Sequence, residues 1–315
     1  MRQFIPDRLV SARLLQGYSL QDLADKLNNL VSKQALHKYE VGEVTPSKEF
    51  ISKLAEALKI DIDFFYKIQK IQLHSVEFRK MSLLAAKEEN RIIEKTKEYI
   101  SNYLEIEEII GLKNGFVSPF VPPININDLN DIDVITDSLR KKWGLGVDPI
   151  YSVVELLEDN NIKIVEIEGG DEFDGLQAMV NNEFPVIVVN TSLLKKDDRK
   201  RFTVLHELGH MLLPISSIPL KQREKYCHQF ASAMLFPREA MFKELGVKRN
   251  RLHIQELGAL KKQYGISIQA IIMRAKDLSI ISESYCRQLF FYIRQQGWKI
   301  DEPFNYIGHE SPMKF

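Results

Sequence analysis

Two histidines stand four residues apart in the run His206-Glu207-Leu208-Gly209-His210. Four residues is just over one helical turn, so on a helix both imidazoles project from one face and can share one metal ion. Glu207 would then lie beside them, within reach of a bound water. This is the equipment of metal-assisted hydrolysis: a Lewis-acidic ion, of which zinc suits these donors, a water, and a carboxylate to take the water's proton. Such a centre uses three protein ligands and keeps a fourth position open. Glu224 is the choice for the third, fourteen residues after His210 near the start of the next predicted helix, where Cys227, His228 and Ala231 continue its stripe. Ala231, Ser232 and Ala233 are small enough to let that helix approach closely. Tyr226, His228 and His253 are the candidates to support the ligands or to stabilise an oxyanion, and the residues alone do not choose among them.

These side chains need two helices to hold them. The first is predicted near Asp198 to Leu213, with Val204, Leu205, Leu208 and Leu212 on its core side, and the second near Lys221 to Leu235; Pro214 and Pro237 close them. Ahead of them, branched residues punctuated by Gly, Asn and Pro predict strands at Ile162 to Ile167, Leu176 to Val180 and Val186 to Val189, with a peptide adding to an exposed sheet edge along Val186 to Asn190. Further helices are predicted around Asp133 to Trp143 and after Asp148-Pro149. From Phe78 to Ile110 one long helical pattern carries the stripe Ile92, Thr96, Tyr99, Tyr103, Ile106 and Ile110, read as packing on its own neighbours. Gly115, Pro119, Pro122 and Pro123 mark a loop and a boundary.

Composition excludes some functions. No uncharged apolar run is long enough to span a bilayer, and Met1 to Ile5 lacks a signal-peptide core, so the expectation is a cytoplasmic protein without membrane contact. Cys227 and Cys286 lack a metal-knuckle or redox-pair spacing and are read as reduced thiols. Lysines plus arginines equal aspartates plus glutamates at 43 each, so any nucleic-acid contact must be a local patch.

Such a patch is predicted near the N-terminus. Up to about Lys70 the chain reads as short helices, with Ser19, Ser32 and Ser47 at N-cap positions. Leu20, Leu23, Ala24 and Leu27 form the buried side of one helix, and Ala35, Leu36 and Tyr39 that of the next, leaving Lys33, Gln34, His37 and Lys38 outward. At the start of a recognition helix, Gln34 would read adenine edges in double-stranded DNA, and Lys33 guanine or phosphate. The segment through Lys38-Tyr39-Glu40, Gly42, Pro46-Ser47 and Leu54-Ala55 resembles the Xre, phage-repressor-type family, with a turn Asn28-Asn29-Leu30-Val31 about two residues longer than the common form. With 11 lysines and arginines against 9 aspartates and glutamates in residues 1–70, a head used for protein interaction or dimerisation is the competing reading.

The run Arg201-Phe202-Thr203-Val204-Leu205-His206-Glu207-Leu208-Gly209-His210, with the preceding strand, Phe230-Ala231 and Leu235-Phe236-Pro237, resembles the ImmA/IrrE metallopeptidases. Those are minimal zincins that cut partner repressors in phage, mobile-element and stress circuits. The resemblance covers roughly Asp131 to Pro237 and implies zinc ligands at His206, His210 and Glu224, with Glu207 as general base. The family often has Glu and Asn where this chain has Tyr226 and His228. Fusion to an Xre-type head is a familiar architecture in the group, and Glu77-Phe78-Arg79-Lys80 and Tyr103-Leu104-Glu105 look like its connector.

The expected fold is therefore α+β: an all-α helix-turn-helix bundle (1–70), a helical connector (71–115), a zincin-like peptidase domain with a small sheet (116–240) and a helical C-terminal region (241–315). In that last region, Leu257 to Tyr264, Gly265 and Ser267 to Ala275 are read first as simple helical packing, with a helix-turn-helix-like pair as the alternative. The expected function is a zinc endopeptidase acting on a repressor or antitoxin-like protein. A non-catalytic regulator sensing zinc or a ligand is the alternative, an antitoxin-like binding module is a third, and a homodimer is left open.

Overall fold

A computed structural model describes residues 3–78, 84–112, 115–120, 125–170, 172–191 and 196–312. Arg79, Lys80, Pro122 and Pro123 lie outside the described residues. The fold is α+β, with thirteen α-helices and one four-stranded sheet among those residues.

The head consists of α1 (Pro6–Leu15), α2 (Leu20–Lys26), α3 (Lys33–Glu40) and α4 (Lys48–Leu58). Ser19, Ser32 and Ser47 each accept a backbone N–H three residues on, from Asp22, Ala35 and Phe50, at 3.1, 3.2 and 3.2 Å, satisfying donors a helix start leaves open. The long turn between α2 and α3 works because Asn28 and Asn29 both take left-handed backbone angles, φ 53° and 55°, which asparagine tolerates better than most residues. Phe4, Leu9, Leu23, Leu36, Leu54, Leu58 and Phe65 fill the core. Arg13 grips Glu40 through two bonds of 2.6 and 2.9 Å, tying α1 to the end of α3.

After the head, β1 (Leu73–Phe78) precedes α5 (Ala86–Ile109). The predicted helical start at Phe78 is thus a strand end. The stripe of α5 also differs from expectation: Ile92, Thr96, Ile100 and Tyr103 are buried, whereas Ile106 and Ile110 are exposed. Its apolar face packs on the chain's own sheet, Ile92 and Ile100 sharing a core with Val165, Leu176 and Val188.

Then follow α6 (Leu129–Lys142), α7 (Val153–Asp159), β2 (Lys163–Ile167), β3 (Gly175–Val180), β4 (Phe184–Asn190), α8 (Asp197–Leu212), α9 (Leu220–Leu235), α10 (Arg238–Leu245), α11 (Ile254–Tyr264), α12 (Ile268–Asp277) and α13 (Glu283–Gln295). The sheet order is β1-β3-β4-β2, with β2 parallel to β4 and the other pairs antiparallel. Val186 to Asn190 therefore belongs to an interior strand bonded on both sides and cannot take up a peptide strand, which corrects the expected docking edge. An almost uniformly apolar strand is what burial between two neighbours and two covered faces demands, and edge strands rarely read that way.

Buried arginines lock the helices around α8. Arg140 donates to the carbonyls of Gly146, Asp148 and Met234, and Arg274 to Phe236 O at 2.5 Å and Asp133 Oδ1 at 2.8 Å, so the turn after α9 is held from two sides. Arg274, with Ile268, Ile271, Ile272 and Ala275, puts one face of α12 inside the core. The extended segment after α13 returns to α8. Arg201 and Glu310, both with fully buried side chains, pair at 2.5 Å, and the same carboxylate accepts the N–H groups of Val153 and Val154 at 3.0 Å. A second carboxylate, Glu302, bonds Lys261 at 3.0 Å and caps α12 through Ile268 N at 2.8 Å. Removing one partner of a buried pair strands the other's charge, so Arg201→Met and Glu310→Gln should each destabilise by about 3–5 kcal/mol. The double variant should lose clearly less than the two losses added; additive losses in denaturant unfolding would show that the pair is not coupled.

Candidate functional site

Helix α8 carries the His-Glu-x-x-His run on a segment covered on nearly every side. Val204, Leu205 and Leu208 are fully buried as expected, and so are His206 at 0% and Glu207 at 1% exposure. A polar solvent-facing stripe is thereby excluded: two ionisable side chains in a dry interior need partners. Leu212, assigned to the buried side, is only half-buried.

The partner comes from α9. Two features let it approach. Gly209 faces it, where a β-carbon would stand 3.3 Å from Cys227 Cα and 3.3 Å from Phe230 Cδ1. On the other flank Gly175 starts β3 with no side chain, where a β-carbon would meet Val188 O at 2.9 Å and Glu207 Cγ at 3.8 Å. Neither glycine was singled out from sequence for packing, although Gly209 lies inside the motif itself. The small residues Ala231, Ser232 and Ala233 are buried farther along α9.

Three side chains converge as a result. His206 Nε2 and His210 Nε2 are 3.1 Å apart, and the two carboxylate oxygens of Glu224 lie 3.2 Å from His206 Nε2 and 3.2 Å from His210 Nε2. Four donors at the zinc–nitrogen distance of about 2.0 Å around a tetrahedral ion stand about 3.3 Å from one another, so these spacings fit a shared ion. The donor chemistry fits as well, since two ring nitrogens in contact repel unless a proton or cation lies between their lone pairs. The imidazoles hydrogen-bonded to Glu224 hold its carboxyl well below the usual carboxylate range, His206 more than His210.

The three candidates for oxyanion or supporting roles separate. His228, one turn after Glu224, sets its ring edge-on to that of His206, centroids 4.5 Å apart, and 5.8 Å from that of Phe202. Tyr226 is buried against α6, its hydroxyl accepting from Gln222 Nε2 at 2.7 Å and reaching Asn127 O at 3.5 Å. His253 stands at the N-cap of α11, its backbone N–H donating to Glu256 at 3.4 Å. The structure thus brings His228 to the histidine pair and places the other two in packing and capping positions. Phe202 is a neighbour that sequence reasoning missed, because it sits on the helix face assigned to neither core nor site.

On the head, Lys33, Gln34, His37 and Lys38 are all exposed on α3, while Leu36 and Glu40 are buried. Comparison with known proteins bears on both regions. The helix-turn-helix family matches residues 9–65, and the family described as IrrE N-terminal-like domain matches residues 157–276, running past α9 into α12. The head is 36% identical over 61 residues to the SPbeta prophage-derived uncharacterized HTH-type transcriptional regulator YonR of Bacillus subtilis (strain 168), a match covering 19% of this chain and 55% of that relative. The chain thus spans about half the length of the curated relative it matches, and only with its head. It joins an N-terminal helix-turn-helix domain to a domain of the IrrE N-terminal-like peptidase family.

Proposed function

We propose that this chain is a zinc-dependent endopeptidase that cleaves a repressor or antitoxin-like protein in the cytoplasm, localised or controlled by its own DNA-binding head. The observation that carries the reading is the convergence of His206, His210 and Glu224 at 3.1 to 3.2 Å beside a buried Glu207. Zinc held by the three would polarise the scissile carbonyl and make water a stronger nucleophile. Glu207 would take the water's proton and return it to the leaving amine nitrogen. His206 is fully buried and His210 nearly so, at 9% exposure, while Glu224, at 35%, stands on the side from which a peptide would come. No helix among the described residues is long and apolar enough to cross a bilayer. We divide the chain functionally as a DNA-binding head (1–70), connector (71–115), peptidase (116–240) and helical C-terminal region (241–315).

His206→Ala and Glu224→Ala should lose bound zinc, and metal analysis of purified protein reads this directly; full occupancy in the Glu224 variant would remove it from the ligand set. Glu207→Gln should keep the metal and the fold while cleavage of a repressor-type protein encoded nearby falls by about 10²-fold or more. Equal cleavage by this variant would refute the mechanism, and no cleavage of any such protein by wild type would favour a non-catalytic regulator. For the head, Lys33→Ala with Gln34→Ala should weaken operator binding by about 1–3 kcal/mol and leave thermal stability nearly unchanged, since both side chains are exposed. An unaltered footprint would favour a protein-interaction role.

A further inference from the structure

The site holds one more ligand-capable group than the mechanism uses. The ligand-capable atoms of His206, Glu224 and His228 all lie within 4.8 Å of one another, a set that overlaps the closer triad of His206, His210 and Glu224 in two of its members. His228 follows Glu224 by four residues on α9, so both occupy the same helix face one turn apart. Its ring is oriented in a particular way. Nδ1 lies 2.6 Å from the backbone carbonyl oxygen of Glu224. A carbonyl only accepts, so Nδ1 carries the proton, and in the neutral ring the lone pair belongs to Nε2. Metal-binding histidines are set by this device: the far ring nitrogen donates to a carbonyl, and the near one is left to bind. A neutral ring in this tautomer has no donor at Nε2 to offer an oxyanion, which disfavours that role for it.

Two further observations fix how such a donor would behave. Phe202 and His206 tilt against the ring at 45° and 71°, which limits its rotation. Yet His228 is exposed, in contrast to the fully buried His206, so it stands on the side from which a peptide would arrive.

We propose that His228 Nε2 is a fourth, displaceable donor to the ion held by His206, His210 and Glu224, so that the resting centre is closed by the chain itself and opens when a peptide carbonyl competes for the position. A four-ligand zinc centre has no room for a reacting group, whereas a three-ligand centre does, so this arrangement makes substrate binding the event that exposes the reactive site. The proposal rests on the zinc reading given above.

The test is X-ray absorption spectroscopy at the zinc edge on the full-length zinc-loaded chain, alongside His228→Ala and His228→Asn, with the rate of zinc release to a chelator as a second reading. Wild type should show scattering from three imidazoles and both variants from two, with release about tenfold faster or more in the variants. Two imidazoles in fully loaded wild type would overturn the fourth-donor proposal while leaving the endopeptidase reading intact, and this outcome needs no variant to fold. Wild type that takes up no zinc at all would overturn both.

Discussion

The close approach of α8 to α9 at Gly209 is the constraint on which the rest depends. The two histidines sit on one helix and need only helical geometry to meet. Glu224 sits on another, and its carboxylate reaches both Nε2 atoms only because the helices pass with no side chain between Gly209 and Cys227. An alanine β-carbon there would lie 3.3 Å from Cys227 Cα, a backbone atom that cannot move aside without moving the helix. In a packed interior, a shift of this kind is felt directly at the site it positions.

What keeps the approach from relaxing is a set of buried polar clamps. Arg140 and Arg274 bind the end of α9 and the turn after it, and Arg201 with Lys200 and Glu310 binds the start of α8 to the returning C-terminal segment. Such pairs add little net stability compared with apolar residues of the same shape. Their directionality is the point: a guanidinium with two or three carbonyl partners accepts one arrangement of the elements that carry them. The tail therefore belongs to the machinery of the site, acting on α8 through Arg201 and Lys200.

Much of this was legible in the sequence, and the reasons are local. The serine caps, the helices of the head, the three strands of the peptidase region and the histidine pair are all specified by residues close together in the chain, where periodicity and capping chemistry act. What escaped depends on partners far apart. Sheet order put β4 inside and not at the edge, because a strand's neighbours are chosen by crossovers that its own residues do not encode. The strand β1, ahead of α5, was absorbed into a helical reading since its pairing partner lies about a hundred residues later. For the candidate site, Glu224 could be placed by helix register, but Tyr226 and His253 could not be separated from His228 until the direction of each side chain was known. Asn127, which Tyr226 reaches, is 99 positions away.

The helix α5 shows how head and peptidase region are joined, and which forces matter there. Its buried face, Ile92, Thr96 and Ile100, lies on the sheet, while its other flank meets α1. Arg8 spans this second contact, 1% exposed, bonding Glu98 at 3.0 Å and stacking on Phe64 at 3.6 Å. Lys67–Glu105 and Lys87–Asp22 cross the same boundary with both partners substantially exposed, and pairs of that kind contribute about 0–1 kcal/mol each, less at high salt. Arg8 is different because its stem and ring contact are buried along with its charge, so packing and electrostatics act together. The head is thus anchored to α5 chiefly through one arginine and the apolar surface around it, and α5 to the sheet by a continuous apolar face. Since β3 of that sheet starts at Gly175, against Glu207, a single helix lies between the base of the DNA-binding head and the strands that pack on the candidate site.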